Sequence, residues 1–177
     1  MRYLLLMRHA KAETRGPGAA DRDRPLVKRG LRDAALIGAA VARDGITPDL
    51  VLCSPATRTR ETLDAMLPCF AGAPRVVFDE ALYGAGEPEY LRAITEADDA
   101  AGRLLIVGHN PTMHASALAL AGSGDRALRE RLTAKFPTAA LAIIAFSCSA
   151  WSKTAPGGGE LVSLLLPRDL GAEAAES

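Results

Sequence analysis

The first hundred residues alternate short apolar runs with helix-length stretches, a rhythm that few folds other than a layered α/β structure accommodate. Runs 2–7, 50–53, 75–78 and 104–107 are rich in Leu, Val and Ile and read as buried strands of a largely parallel sheet. Between them, 31–43 is Ala-rich, with Leu31, Ala34, Ala35, Gly38 and Val41 at helical spacing and Gly45 as a stop. Ser54-Pro55 predicts an N-cap followed by a proline at the first helical position, opening a helix to about residue 66 or 67. Asn110-Pro111 repeats that signal, with a helix to about 121, and 87–97 and 125–134 are expected as shorter helices. After Pro137 the pattern changes: 139–147 and 160–166 read as strands joined by a long loop ending in Pro156-Gly157-Gly158-Gly159. The expectation is an α/β sandwich with a mixed sheet, one domain over 1–170, a mobile loop at 16–24 and a frayed acidic tail at 171–177.

A chain of 177 residues can bury a sizeable core without disulfides or a structural metal. Its 21 basic and 21 acidic side chains cancel, and no basic run stands apart from acids, which argues against a general nucleic-acid binder. Any positive site must therefore be local. The apolar run 3–7 is cut off by Arg8, too short for a signal-peptide core or a membrane span, so the sequence points to the cytosol. Cys53, Cys69 and Cys148 form no CxxC or Cys/His cluster and read as reduced thiols, not zinc ligands.

In open α/β sheets, ligands bind beyond the carboxyl ends of the strands. The four predicted strands are followed by Arg8-His9, by Ser54-Pro55 with Arg58, by Asp79-Glu80 and by His109-Asn110. If those strands are parallel neighbours, two imidazoles, two guanidiniums and a carboxylate converge. Such a group can hold a phosphoryl dianion through Arg8 and Arg58 while a neutral His9 attacks phosphorus in line. His109 would donate to an equatorial oxygen, Asn110 would present its backbone N–H to phosphate, and Glu80 would protonate the leaving group if its pKa were raised.

These residues resemble a known superfamily. Leu6-Met7-Arg8-His9-Ala10 is similar to the Arg-His-Gly signature of the histidine phosphatases, the branch that includes the phosphoglycerate mutases. Cys53-Ser54-Pro55-Ala56-Thr57-Arg58 with Thr62 resembles the second-arginine motif, and Val107-Gly108-His109-Asn110-Pro111 the second-histidine motif. Asp79-Glu80-Ala81-Leu82-Tyr83-Gly84 resembles the segment that carries the proton donor in the mutase branch. The chain's size, Arg24-Pro25-Leu26 before Gly30, and Phe136-Pro137-Thr138 resemble the bacterial SixA-like phosphohistidine phosphatases. The resemblance implies a three-layer αβα fold of the phosphoglycerate mutase type and a transient phosphohistidine on His9. It also implies Arg8, Arg58 and His109 as phosphate-handling residues, and no metal or organic cofactor. Ala10 replaces a commoner glycine, and Val27 stands where relatives often carry threonine.

Several features also have plain structural readings. Ser54 and Asn110 suit helix caps, His114 a helix face, and Arg60 and Glu61 a solvated face or a local ion pair, while Lys11 and Arg24 are surface charge or a wider positive field. Trp151 either anchors the late loop or touches substrate. Only 28 residues separate Glu80 from His109, too few for the cap that encloses sugar phosphates, so an open crevice is expected. That favours a phosphohistidine on a protein partner. A small-molecule phosphomonoesterase and a catalytically weak phosphate sensor or scaffold are the alternatives, and a mutase activity is expected to be absent. Nothing in the sequence implies an oligomer.

Overall fold

Alternation within the strands builds two apolar layers. In β1 (Arg2–Arg8), Leu4 and Leu6 join a core with Leu104, Ile106, Ala142 and Ile144. Leu5 and Met7 point the other way, to a second core with Val51, Leu105, Val107 and Ile143. The computed structural model describes residues 1–18 and 20–173. It is an α/β structure in which one seven-stranded sheet lies between helices, its strands in the order Arg75–Phe78, Leu50–Cys53, Arg103–Gly108, Arg2–Arg8, Leu141–Phe146, Gly159–Leu165 and Ala121–Gly124.

Strands β1, β2 (Leu50–Cys53), β3 (Arg75–Phe78) and β4 (Arg103–Gly108) run parallel; β6 (Leu141–Phe146) and β7 (Gly159–Leu165) form the expected antiparallel pair. Helices α1 (Lys28–Arg43), α2 (Thr57–Met66) and α6 (Pro167–Glu173) contribute to one face, and α3 (Glu87–Thr95), α4 (Thr112–Leu120) and α5 (Arg126–Ala134) to the other. Among the described residues no helix is long and apolar enough to cross a membrane.

The departures from expectation have local causes. β3 is a sheet edge, so Val77 and Phe78 are 41% and 46% exposed rather than buried, with the Arg60 guanidinium 4.4 Å from the Phe78 ring centre. β5 (Ala121–Gly124) is a strand that an Ala-Gly-Ser-Gly sequence does not announce; it pairs in parallel with β7. Neither predicted cap caps. The N-cap of α2 is Ala56 and that of α4 is Pro111, neither with a side-chain bond, which leaves Ser54 and Asn110 for other partners. Asp125 does cap α5, its Oδ1 accepting from Leu128 N–H at 3.0 Å. Residues 171–173 close α6 rather than starting a tail, and 174–177 lie outside the described residues. Trp151 is fully buried, donating its Nε1–H to the Ala101 carbonyl at 2.8 Å, and is an anchor remote from the strand ends.

Helix α1 is seated against the segment that follows β1. A Cβ on Gly30 would lie 2.2 Å from the Lys11 carbonyl oxygen, and Val27 N–H donates to that same oxygen at 3.0 Å. Since the obstruction is backbone, no rotamer can relieve it. Gly30→Ala is expected to lower stability by roughly 1–3 kcal/mol in urea denaturation, the usual cost of overpacking; an unchanged midpoint would contradict this close approach.

Candidate active site

The ladders continue one residue beyond the strands. His9 N–H donates to the Gly108 carbonyl, Ser54 N–H to Val107 and Asp79 N–H to Cys53, at 3.0, 3.0 and 2.9 Å. Arg8 pairs in register with Gly108, so the ends of β1, β2 and β4 lie level. The His9 and His109 ring centroids come within 5.3 Å, tilted by 58°. A cavity of about 270 Å³ opens there, lined by Arg8, His9, Lys11, Ala12, Arg24, Arg58, His109, Asn110 and Thr138.

His9 is 9% exposed, and its Nδ1 lies 2.8 Å from the Ala10 carbonyl oxygen. A carbonyl only accepts, so Nδ1 carries the proton and Nε2 keeps its lone pair. Burial lowers the His9 pKa to about 4, assisted by Arg58, Arg8 and Arg24 and opposed by the bond to Ala10. Burial likewise lowers that of His109 to about 3, with Arg58 and His9 adding to it. Both rings are therefore neutral at pH 7. The His109 Nε2 lies 2.8 Å from the hydroxyl of Ser54, which is fully buried. Tyr90, buried on α3, accepts the His109 backbone N–H at 3.1 Å, and the Tyr83 ring stands edge-on to the imidazole at 5.7 Å.

The arginines are held from behind. Arg8 Nη1 donates to the Phe136 carbonyl at 2.9 Å, an acceptor shared with Asn110 Nδ2 at the same distance. Arg58 donates from Nη1 to the Asp21 carbonyl at 2.6 Å and from Nη2 to Asp21 Oδ2 at 3.0 Å. Each guanidinium has five N–H groups, so both retain free donors, and Arg8 Nε and Arg58 Nε are buried without a protein partner. Thr62 links the two halves of the site, accepting Ala10 N–H at 2.9 Å and donating to the Arg58 carbonyl at 2.6 Å. Ala10 needs no glycine geometry: among the described residues the non-glycine with positive φ is Ala139, at 59°.

The structure thus brings together Arg8, His9, Arg58, His109 and Asn110 and leaves Glu80 outside. The Glu80 carboxylate is 71% exposed and paired with Arg22 at 2.6 and 2.9 Å, and those hydrogen bonds hold its pKa below the usual carboxylate range. A raised pKa, on which a donor role depended, is not found. His114 also lies apart, its Nε2 2.7 Å from the Leu132 carbonyl. Sequence reasoning missed Asp21, which faces Arg58, Arg24 and the Tyr83 hydroxyl from a 3-10 turn (Asp21–Asp23) in the segment expected to be a loose loop. It read Ser54 as a cap, and Tyr90 as no more than part of a helix.

Comparison with known proteins supplies the family. The sequence profile of the histidine phosphatase superfamily (branch 1) matches residues 4–83. The crystal structure of a SixA protein from Agrobacterium tumefaciens is 32% identical, with a TM-score of 0.79 over 94% of this chain and 98% of that one. The chain belongs to the histidine phosphatase superfamily. A SixA protein from Nakamurella multipartitia is also 32% identical, with a TM-score of 0.82 over 94% and 96% of the two chains. An uncharacterised protein of Mycobacterium tuberculosis is 42% identical over 164 residues, 92% of this histidine phosphatase homologue and all of its relative.

The lowered histidine pKa values carry a sign. Between about pH 6.5 and 4 the unfolded chain binds protons on positions 9 and 109 that the folded chain refuses, so stability is full above that window and falls with acidification. A loss on the order of 3 kcal/mol by about pH 4.5 is expected, after allowing for solvent in the open cavity. Chemical denaturation across this range measures it, and the double variant His9→Asn, His109→Asn should flatten the slope. The same slope in that variant would place the titration elsewhere.

Proposed function

We propose that the protein is a phosphatase working through a phosphohistidine intermediate on His9, and that its substrate is a phosphohistidine displayed by a partner protein. The observation that carries this reading is the juxtaposition of the two neutral imidazoles with two partly free guanidiniums around one cavity. His9 Nε2 attacks phosphorus, since its Nδ1 proton is committed to the Ala10 carbonyl. Arg8 and Arg58 hold the phosphoryl oxygens through their remaining N–H groups. With the Ser54 hydroxyl as donor to His109 Nε2, 2.8 Å away, the ring proton sits on Nδ1, which has no protein partner and would donate to a phosphoryl oxygen as charge develops. Water then hydrolyses the phosphorylated His9.

Substrate size follows from what covers the cavity. The segment between β3 and β4 passes through a 3-10 turn (Glu80–Leu82) into α3, which packs against α4; it brings the Tyr83 ring edge-on to His109 but contributes no residue to the lining. Because the helix of that segment stays out of the lining among the described residues, a phosphorylated side chain on a protein surface can enter, while a small ester would forgo the contacts an enclosing cap supplies. The SixA proteins of Agrobacterium and Nakamurella, alike along nearly the whole chain, support the same substrate class.

Incubation with a ³²P-labelled phosphoryl donor should yield an acid-labile phosphoenzyme that His9→Ala abolishes. Label retained in His9→Ala, or none with any donor, would overturn the mechanism. Arg58→Ala should slow turnover by roughly 10²- to 10³-fold, the usual cost of removing a donor to developing charge. Because guanidiniums neutralise the phosphoryl group, EDTA should leave the rate unchanged; inhibition reversed by a divalent ion would contradict the scheme.

A further inference from the structure

Arg8, Lys11, Arg24 and Arg58 line the cavity, and none of the lining residues among those described carries a carboxyl group. One carboxylate nevertheless acts on this wall from outside the lining. Asp21 Oδ2 accepts from Arg58 Nη2 at 3.0 Å, and Asp21 Oδ1 lies 2.9 Å from Arg24 Nε, so a single negative charge bridges two of the cations. The Asp21 backbone carbonyl separately accepts from Arg58 Nη1 at 2.6 Å. Tyr83 steadies the carboxylate, its hydroxyl donating to Oδ2 at 3.2 Å. Burial opposes the charge on Asp21, but Arg58 and Arg24 hold its pKa below the usual carboxylate range, so it is ionised at neutral pH. Its field extends into the pocket: burial and Arg58 lower the His109 pKa, and Asp21 works against them.

We propose that Asp21 is a fixed counterion that competes with phosphate for Arg58 and Arg24 and so weakens the cavity's hold on inorganic phosphate. The inference rests on the proposed phosphatase reading and concerns the step after the chemistry, since Asp21 touches the arginines and not the cavity itself. The oxygens that Arg8 and Arg58 would hold in a substrate are all present in the phosphate left when the phosphorylated His9 is hydrolysed. Attraction exerted equally on substrate, transition state and product lowers KM without raising kcat, and it detains the product. A wall of four cations with no counterion would exert that attraction in full. Asp21 occupies one N–H on each of the two Arg58 terminal nitrogens, one through its backbone and one through its carboxylate. The backbone bond fixes where the guanidinium lies, while the carboxylate supplies the opposing charge, so placement and charge are separable by substitution. Asp21 is on this reading a positioning and tuning residue, acting on the phosphoryl group through Arg58.

Calorimetric titration with inorganic phosphate in the wild type, Asp21→Asn and Asp23→Asn tests this without turnover. Asp21→Asn removes the charge and keeps the backbone carbonyl, so its phosphate Kd should fall on the order of 10-fold, the effect of one charge acting across a guanidinium at intermediate dielectric. The inhibition constant of phosphate against p-nitrophenyl phosphate should fall by the same factor. Asp23, exposed on the same turn, carries an equal charge without bridging the two arginines, and Asp23→Asn should leave the Kd within about threefold of wild type. An unchanged or weaker Kd in Asp21→Asn would overturn the proposal and reduce Asp21 to a brace for Arg58. Equal tightening in Asp23→Asn would overturn it as well, since net charge would then be the cause. Either result leaves the phosphatase reading standing if the wild type forms its phosphoenzyme on His9. Tightening in Asp21→Asn of a protein that forms no phosphoenzyme would keep the counterion and remove that reading, and a wild type that binds no phosphate would remove both.

Discussion

Everything at the active site depends on the register of three parallel strands. The pairing of Arg8 with Gly108 and of Cys53 with Val107 fixes the level at which β1, β2 and β4 end, and the next residues remain tied by backbone hydrogen bonds. A slip of one residue would move a strand end by about 3.3 Å and reverse every side chain on it. Such a slip is prohibitive because both faces are apolar: Leu4 and Leu6 would exchange cores with Leu5 and Met7. The 5.3 Å between the imidazoles is thus maintained by packing that extends the length of the sheet. The site tolerates little distortion because the cores tolerate little.

That rigidity supports an electrostatic arrangement that water would otherwise dissolve. Two imidazoles and the Arg8 and Arg58 guanidiniums share a partly buried volume whose acidic neighbour is Asp21, reaching in from the segment after β1. Burial and the nearby cations keep both imidazoles neutral. Neutrality leaves a lone pair on each imidazole, while the permanent charge that attracts an anion sits on the guanidiniums. Had the histidines carried the charge, the pocket would attract phosphate and be unable to attack it.

How much of this was legible in the sequence depended on what each inference needed. His9 and His109 were found because their positions follow from a topological rule, and only strand direction had to be guessed. Ser54 and Asn110 were read as helix caps, but each precedes a proline and the helices begin three and two residues later, so their side chains bond instead to His109 Nε2 and to the Phe136 carbonyl. Asp21 was invisible, because its meeting with Arg58 spans 37 positions and depends on a turn folding back over the strand ends. Glu80 lies outside the cavity for the complementary reason. Its segment is where the family resemblance put it, but Arg22, 58 residues away, draws the carboxylate out to solvent. Local pattern read the scaffold well and could not read which long side chains meet across loops.

The displacement of Glu80 bears on the chemistry. Expelling an alkoxide from a phosphate ester calls for an acid at the leaving oxygen, whereas a protonated imidazole departs already neutral. None of the residues lining the cavity among those described carries a carboxyl group. What they carry instead are cationic guanidiniums and, at His9, a neutral imidazole whose Nε2 keeps its lone pair. A pocket so composed is complementary to a leaving group that arrives with its own proton. The exposed Glu80 carboxylate thus supports the proposed phosphohistidine substrate, whose leaving imidazole needs no such acid.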